Sequence, residues 1–190
     1  VVLPSVKCKS EACIEHRRYS QHISASATDI NADGNPLQQG VRIASQLAHR
    51  DSLNIGFSNL DLGDGKATGE LLRDEVCLQA SHRSCIELGM VAATELTDVP
   101  FRAMPNDGVV GLGLRGLSIS PAFNFLEQLS ARGLDQKFGF FMGAEGGEIV
   151  FGGHNPARLA GPLSWVPVFQ PKEGYWQVAI RRVSVGNRTV

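Results

Sequence analysis

The sequence predicts a mainly β fold made of short strands, many turns and one clear helix. Two observations support this class. The 21 glycines and 9 prolines are spread along all 190 residues, and the apolar segments between them are short and often alternate with polar residues. Such frequent interruption is typical of β domains rich in turns. The length is sufficient for one ordinary domain, or for one complete lobe plus part of another.

Alternating or continuous apolar segments predict strands along most of the chain. These segments are 53–57, 69–79, 85–93, 138–142, 147–152 and 176–185. The polar residues 80–84 are a turn that would pair the second and third segments as a hairpin. The glycine-rich residues 143–146 form a second turn sequence, between the fourth and fifth segments.

Residues 121–132 predict the single helix. Ser120 and Pro121 supply a capping residue followed by a proline at the first helical position. Gly133 supplies the stop signal, and the apolar side chains between these limits would share one face.

Residues 20–50 have a different composition, dominated by Ser, Ala, Gln, Asn and Gly. Apolar residues are sparse in this stretch, so a long surface loop or insertion is expected. Residues 46–48 are a candidate helical turn within it.

The charge balance and the hydropathy pattern exclude two classes of partner. With 18 Lys+Arg against 19 Asp+Glu, the chain lacks the basic excess that phosphate neutralisation requires, so no nucleic-acid binding is expected. No apolar run approaches the roughly 20 residues that cross a bilayer, so no membrane span is expected.

The four cysteines form two local pairs, Cys8 with Cys13 and Cys77 with Cys85. An even count in close pairs favours two short disulfides and therefore an oxidising compartment. Across the predicted hairpin, Cys77 and Cys85 would face each other. Free buried thiols and a zinc site are the alternatives, although neither spacing is Cys-x-x-Cys and the five histidines are scattered.

One motif match, Gly111 to Gly116, has the G-x-G-x-x-G pattern of dinucleotide-binding proteins. In those proteins the glycine turn opens directly into a helix, whereas here the predicted helix begins several residues later. No cofactor and no metal are therefore expected. The chain also lacks the G-x-S-x-G, H-E-x-x-H and Walker A motifs.

The same glycine stretch is better explained by another family. Residues 107–113, Asp-Gly-Val-Val-Gly-Leu-Gly, resemble the "DG(I/V)(L/V)GLG" segment of pepsin-like aspartic proteases (family A1). Further resemblances follow in family order: Phe138–Phe141 to "FSF", Gly146–Gly153 to "G.(E/V)(L/I)xFGG", Leu163–Val168 to "LxWVPV" and Gly174–Val178 to "GYWQ(V/I)". Near the N-terminus, residues 4–16 resemble "PSxxCxxxxCxxH", a run that contains a small disulfide loop.

The resemblance implies a pepsin-like acid protease fold and an acid–base mechanism. In the family, two aspartates from Asp-Thr-Gly or Asp-Ser-Gly triplets, one per lobe, share a proton and activate a water molecule that attacks the peptide carbonyl. This sequence contains neither triplet. By register the first aspartate belongs upstream of Val1 and the second downstream of Val190, so no catalytic residue is assigned within the chain.

The implied organisation is an N-terminal lobe at 1–160, with an insertion at about 20–50, and inter-lobe strands at 161–190 that lead into the second lobe. The implied partner is a polypeptide substrate, or another chain that completes the bilobed fold. The implied location is the secretory pathway: vacuolar, lysosomal or extracellular. Asn187 begins the glycosylation sequon Asn187-Arg188-Thr189.

The resemblance also implies substrate-binding positions. Residues 62–69 resemble the "YGxGxxxG" flap, a hairpin that closes over the substrate. Leu62 stands where the family usually has a tyrosine, which removes a hydroxyl, and Asp64 between Gly63 and Gly65 could hydrogen-bond the substrate backbone. An ordinary β-hairpin is the alternative.

Three further residues complete the candidate set. Val109 matches a position that lines the pocket for the residue before the scissile bond, with a core role as the alternative. Asn106 would make that pocket more polar, because the family usually has an aromatic residue there. Tyr175 either approaches the primed side of the cleft or packs between the lobes.

Two functions follow from these observations. The first is an aspartic endopeptidase whose two aspartates lie outside this chain. The second is a non-catalytic binding or inhibitor protein with the pepsin fold, which the absent triplets and Leu62 favour.

Overall fold

A computed structural model gives the fold and describes residues 1–37, 52–59, 63–78, 85–186 and 188–189. The architecture is mainly β, as predicted. Its centre is a five-stranded sheet of β1 (Val2–Pro4), β2 (Thr28–Asp29), β3 (Ser52–Asn59), β4 (Gly63–Cys77) and β5 (Cys85–Leu96). The strand order is β1-β5-β4-β2, and β3 also pairs with β4.

The long antiparallel pair β4–β5 is the hairpin that the sequence predicts, although both strands extend further than expected. The register runs from Ala67 opposite Leu96 to Cys77 opposite Cys85. The latter two residues form a disulfide, and Cys8 forms a second one with Cys13. All four cysteines are thereby paired, so the free-thiol and zinc alternatives are wrong.

The sheet is buried on both faces because side chains of neighbouring residues point to opposite sides of a strand. On one face, Leu71 and Val91 pack with Phe123; on the other, Leu72 packs with Met90 and Ala92. Fully burying each large apolar side chain contributes about 1.5–3 kcal/mol. The two layers therefore hold the central strands in one register.

The part of the chain that the structure describes contains three short α-helices: α1 (Glu11–Ile14), α2 (Asp98–Phe101) and α3 (Phe125–Ala131). Single 3-10 turns lie at Arg115–Leu117, Pro121–Phe123, Pro156–Arg158 and Pro171–Glu173. In the described part of the chain, no helix is long and apolar enough to cross a bilayer.

The one longer helix, α3, is shorter than the predicted 121–132. Pro121–Phe123 is a separate 3-10 turn, and Asn124 interrupts the two with φ −88° and ψ 112°. Its side-chain oxygen accepts a hydrogen bond from the Glu127 N–H at 3.0 Å, which is N-cap geometry. The cap of α3 is therefore Asn124 and not Ser120.

Part of the predicted loop at 20–50 is integrated into the sheet. Thr28 and Asp29 pair with Arg73 and Leu72 of β4, and the next residue, Ile30, is fully buried. The sequence does not predict this strand because the stretch has few apolar residues. The buried side chain next to the strand is a single isoleucine, Ile30. Residues 38–51, which include the candidate helical turn, lie outside the described residues.

The C-terminal third contains two separate hairpins. The first is β6 (Phe138–Gly143) with β7 (Gly146–Phe151), joined at the predicted turn. The second is β8 (Ser184–Val185) with β9 (Arg188–Thr189). The predicted strand at 176–185 is wrong except for its last two residues. A strand requires a neighbour that accepts and donates backbone hydrogen bonds, and residues 176–183 have no strand partner among the described residues.

The buried carboxylate of Asp74 in β4 connects the N-terminal segment to the sheet. Asp74 is 5% exposed and accepts hydrogen bonds from the Tyr19 hydroxyl and the Ser26 hydroxyl, each at 2.5 Å, and from the Glu75 N–H at 2.7 Å. Burial opposes ionisation of Asp74, but these hydrogen bonds outweigh it and lower its pKa. Burial and the Asp74 contact also raise the pKa of Tyr19.

We expect Asp74→Asn to lower the free energy of unfolding by about 1–3 kcal/mol near pH 6, because the amide cannot accept all these hydrogen bonds. A lowered folded-state pKa stabilises the fold above the ordinary carboxyl pKa of about 3.9 and ceases to do so as pH falls through the folded value. Urea unfolding of both proteins should therefore show the difference shrinking as pH falls below the ordinary carboxyl pKa of about 3.9. Glu145→Gln in the exposed β6–β7 turn is the control. A pH-independent difference would contradict the assignment.

Candidate functional site

The segment 106–113 lies beside β1 because two backbone hydrogen bonds join Val2 and Val109. The Val2 N–H donates to the Val109 oxygen at 2.9 Å, and the Val109 N–H donates to the Val2 oxygen at 2.8 Å. The close approach requires glycine at 108, where a Cβ atom would lie 2.7 Å from the Val2 oxygen. This pairing fixes the position of the Val109 side chain.

Val109 lines an open apolar depression of about 240 Å³. The β3 residues Ile55 and Phe57 form one side of it, and Leu117, Ile119 and Phe123 form another. A pocket of this size and character suits an apolar side chain of a ligand.

Asn106 lies beside Val109 but interacts mainly with its own loop. Its side-chain NH2 donates to the Gly108 oxygen at 2.8 Å. Together with Val109, Phe57 and Met104, it lines a separate apolar cavity of only about 20 Å³, which has room for little more than one water molecule. The structure therefore brings Asn106 and Val109 together, with the Asn106 amide stabilising the turn.

His16 is a polar residue at this site that the sequence analysis noted only as part of a motif. Its Nε2 is 3.0 Å from the Phe101 oxygen, and its Nδ1 is 3.7 Å from Asp107 Oδ1. The same carboxylate accepts the Arg17 N–H at 2.9 Å. These contacts connect α2 and the segment 106–113 to the N-terminal disulfide loop.

The predicted flap residues lie on the hairpin formed by β3 and the start of β4. Gly63 and Asp64 are exposed, and Gly63 has φ +90°, which favours glycine. Gly65 is buried: a Cβ atom there would lie 2.4 Å from Pro100 Cδ and 2.8 Å from the Val99 oxygen. Gly65 thus packs against α2, a contact that the motif alone does not reveal.

Tyr175 lies on a different segment from these residues and is 56% exposed. Its neighbours attach to the chain that follows Val109. The Leu114 N–H donates to the Gly174 oxygen at 2.9 Å, and the Trp176 indole N–H donates to the Leu112 oxygen at 2.7 Å. Leu62 and Asn187 lie outside the described residues.

Among the described residues, the one group with the spacing of metal ligands is Glu75, Cys77 and Cys85. The two cysteine sulfurs are bonded to each other. They are therefore not the thiolates that bind a metal.

Comparison with known protein families shows which family the chain belongs to. The eukaryotic aspartyl protease family matches residues 44–190. The chain belongs to that family.

Curated relatives match nearly the whole chain. Cathepsin E-B of Xenopus laevis is 28% identical over 195 residues, covering 99% of this chain and 42% of its own length. Gastricsin of Mus musculus is 32% identical over 190 residues, covering 97% of this chain and 41% of its own length. Cyprosin of Cynara cardunculus is 29% identical over 197 residues, covering 98% and 35%. The chain spans about two fifths or less of the length of these relatives.

The close contact between Gly65 and α2 can be tested by substitution. We expect Gly65→Ala to lower the free energy of unfolding by about 1–3 kcal/mol, because the new methyl group would overlap Pro100 and Val99. Gly56→Ala on the neighbouring strand is the matched control, since nothing lies within 4 Å of a Cβ atom there. It should be neutral or stabilising by up to about 1 kcal/mol. Equal effects of the two substitutions in urea unfolding would show that the α2 contact is unimportant.

Proposed function

We propose that this chain is the N-terminal lobe of an aspartic endopeptidase, with the two catalytic aspartates in flanking sequence. The observation that carries the proposal is the family match over residues 44–190. The apolar depression beside Val109 supports it, because peptide hydrolysis requires a groove that holds a substrate side chain. The relatives are more than twice as long as this chain, which leaves room for both aspartates and a second lobe.

The proposed reaction is acid–base hydrolysis of a peptide bond. Two carboxylates about 3 Å apart cannot both ionise readily, so one carries a proton while the other activates the attacking water. The contribution of this chain is to bind and orient the substrate. Val109 contacts the side chain before the scissile bond, and Asn106 stabilises the turn that carries Val109 through its hydrogen bond to the Gly108 oxygen.

The remaining candidate residues have roles around the substrate. Gly63 and Asp64 form the end of a flap that covers the bound peptide and excludes water. Leu62, which lies outside the described residues, is the flap position where the family usually has a tyrosine. Gly65 keeps the base of that flap close to α2. We assign Tyr175, which is 56% exposed, to the primed side of the cleft, with packing between the lobes as the alternative.

The domain limits are part of the proposal: residues 1–160 form the lobe, and 161–190 are inter-lobe strands. Exposed apolar side chains in the second segment support this division. Trp165 is 78% exposed, Val166 64% and Ile180 72%. Such a concentration of exposed apolar surface marks a contact area, and further polypeptide would also supply the missing strand partners of residues 176–183.

The proposed location is the secretory pathway, ending in a vacuole, a lysosome or the extracellular space. Two disulfides favour an oxidising compartment. In that setting the sequon at Asn187 is an acceptor for an N-linked glycan.

A non-catalytic binding or inhibitor protein is the second candidate. Leu62 in place of the usual flap tyrosine favours it, because this change removes a hydroxyl from the flap. The fold would be retained in either case, so an activity measurement must separate the two.

Cleavage of denatured haemoglobin near pH 4 by the full-length protein tests the proposal. We expect cleavage that a statine-type transition-state analogue abolishes, because such compounds bind the two aspartates. Well-folded full-length protein that shows no inhibitable cleavage would support the non-catalytic candidate. Replacement of either Asp-Thr/Ser-Gly aspartate in the flanking sequence would have the same meaning.

The pocket role of Val109 predicts a selective kinetic effect. We expect Val109→Ala to lower kcat/KM about tenfold for peptides with a large apolar residue before the scissile bond, because the substrate loses apolar contact. Val110→Ala is the control, since the adjacent side chain is 47% exposed and does not line the depression. Similar losses in both variants, or equal losses for small and large substrate residues, would indicate a core role for Val109.

A further inference from the structure

We infer that Thr97 is a positioning residue that attaches the β3–β4 hairpin end to the body of the lobe. The inference rests on the proposed function, in which this hairpin end, described by residues 57–59 and 63–66, belongs to the flap. No motif indicated Thr97, which follows β5 directly.

The first observation is where the sheet pairing ends. The pairing of β4 with β5 ends at Ala67 opposite Leu96. The pairing of β4 with β3 continues further, to Gly63 opposite Asn59. The hairpin end therefore projects past the last rung of the β4–β5 ladder, and its orientation depends on contacts outside that ladder.

The second observation is that Thr97 contacts β4 immediately beyond this last rung. The Thr97 N–H donates to the Lys66 oxygen at 3.1 Å. The Lys66 N–H donates to the Thr97 hydroxyl oxygen at 3.0 Å. The same hydroxyl donates its own proton to the Val99 oxygen at 2.5 Å. One side chain thus joins the hairpin to the turn that begins α2.

The third observation is close packing at the same place. A Cβ atom at Gly65 would lie 2.9 Å from the Thr97 hydroxyl oxygen as well as 2.4 Å from Pro100 Cδ, and one at Gly63 would lie 3.2 Å from Val99 Cγ1. The hairpin backbone therefore rests directly on residues 97–100. At Gly65 the Val99 backbone oxygen is also among the nearest atoms, 2.8 Å from the position of a Cβ atom, so a side chain at 65 would separate the hairpin from this turn.

Contacts with residues 11–15 hold the turn that carries Thr97. Arg102 forms ion pairs with Glu11 and Glu15, and the Ala12 N–H donates to Asp98 Oδ1 at 3.3 Å. The Cys8–Cys13 disulfide closes the loop that presents these groups. Thr97 thus connects the hairpin to a part of the lobe that the Cys8–Cys13 disulfide cross-links.

Amide hydrogen exchange in the full-length protein tests this role independently of catalysis. In Thr97→Val, which keeps the side-chain shape but removes the hydroxyl, we expect exchange at Lys66 and its hairpin neighbours to accelerate about three- to tenfold, as the loss of one hydrogen bond predicts. Thr97→Ser retains the hydroxyl and should restore protection. Thr94→Val is the matched control, because the Thr94 hydroxyl also bonds to β4, at the Thr68 oxygen, 3.2 Å away.

Three results would overturn the inference: unchanged protection at Lys66 in Thr97→Val, no restoration in Thr97→Ser, or an equal acceleration in Thr94→Val. If Thr97→Val fails to fold, Gly65→Ala perturbs the same contact from the hairpin side and must accelerate exchange at the same amides.

Kinetics then distinguish this inference from the proposed function. If the protein cleaves peptides, Thr97→Val should lower kcat/KM mainly by raising KM, since a displaced hairpin contacts the substrate less. If the unmodified protein is inactive, the proposed function fails, while the exchange data still decide the role of Thr97.

Discussion

The antiparallel ladder between β4 and β5 is the interaction on which the rest of the structure depends. It runs from Ala67 opposite Leu96 to the Cys77–Cys85 disulfide, and the other strands of the central sheet attach to its two outer edges. Because a shift of one residue would exchange the two faces of each strand, burial on both faces fixes the register. The Cys77–Cys85 disulfide links the two strands covalently at one end of the ladder. At the other end, beyond Ala67 and Leu96, no disulfide links them, and the projecting β3–β4 hairpin begins there.

The candidate site lies near that open end. β1 pairs with β5 on one side and with Val109 on the other, so the ladder positions the segment that lines the apolar depression. β3, through Phe57, supplies the facing wall. The hairpin end is held by α2 and not by another strand, which explains why Gly65 is buried against Pro100. Polar contacts at Thr97 and the edge-to-face packing of Phe57 on Phe101 therefore together set the position of the segment proposed to cover the substrate.

The apolar surface of the C-terminal third complements this arrangement. Apolar residues alternate on the outer face of the β6–β7 hairpin, where Phe140 is 68% and Met142 81% exposed. The extended chain that follows exposes further apolar residues. A bilobed aspartyl protease would cover such a surface with its second lobe, and a non-catalytic protein with the same fold would cover it in the same way. The fold is therefore compatible with both candidate functions. The two candidates differ only in the chemistry of the cleft.

The sequence by itself determined the class, the β4–β5 and β6–β7 hairpins, both disulfides and the presence of one helix, because each depends on signals between residues close in the chain. It also pointed to Val109 through a motif. Only the tertiary structure decided that Asn124 caps α3, that Ile30 anchors a strand, that 176–183 lacks a partner and that Gly65 packs on α2. The Asn124 cap is a local contact to Glu127 that replaces the equally local Ser120 signal. The other three features depend on whether residues distant in sequence are close in space, and a local sequence pattern does not contain that information.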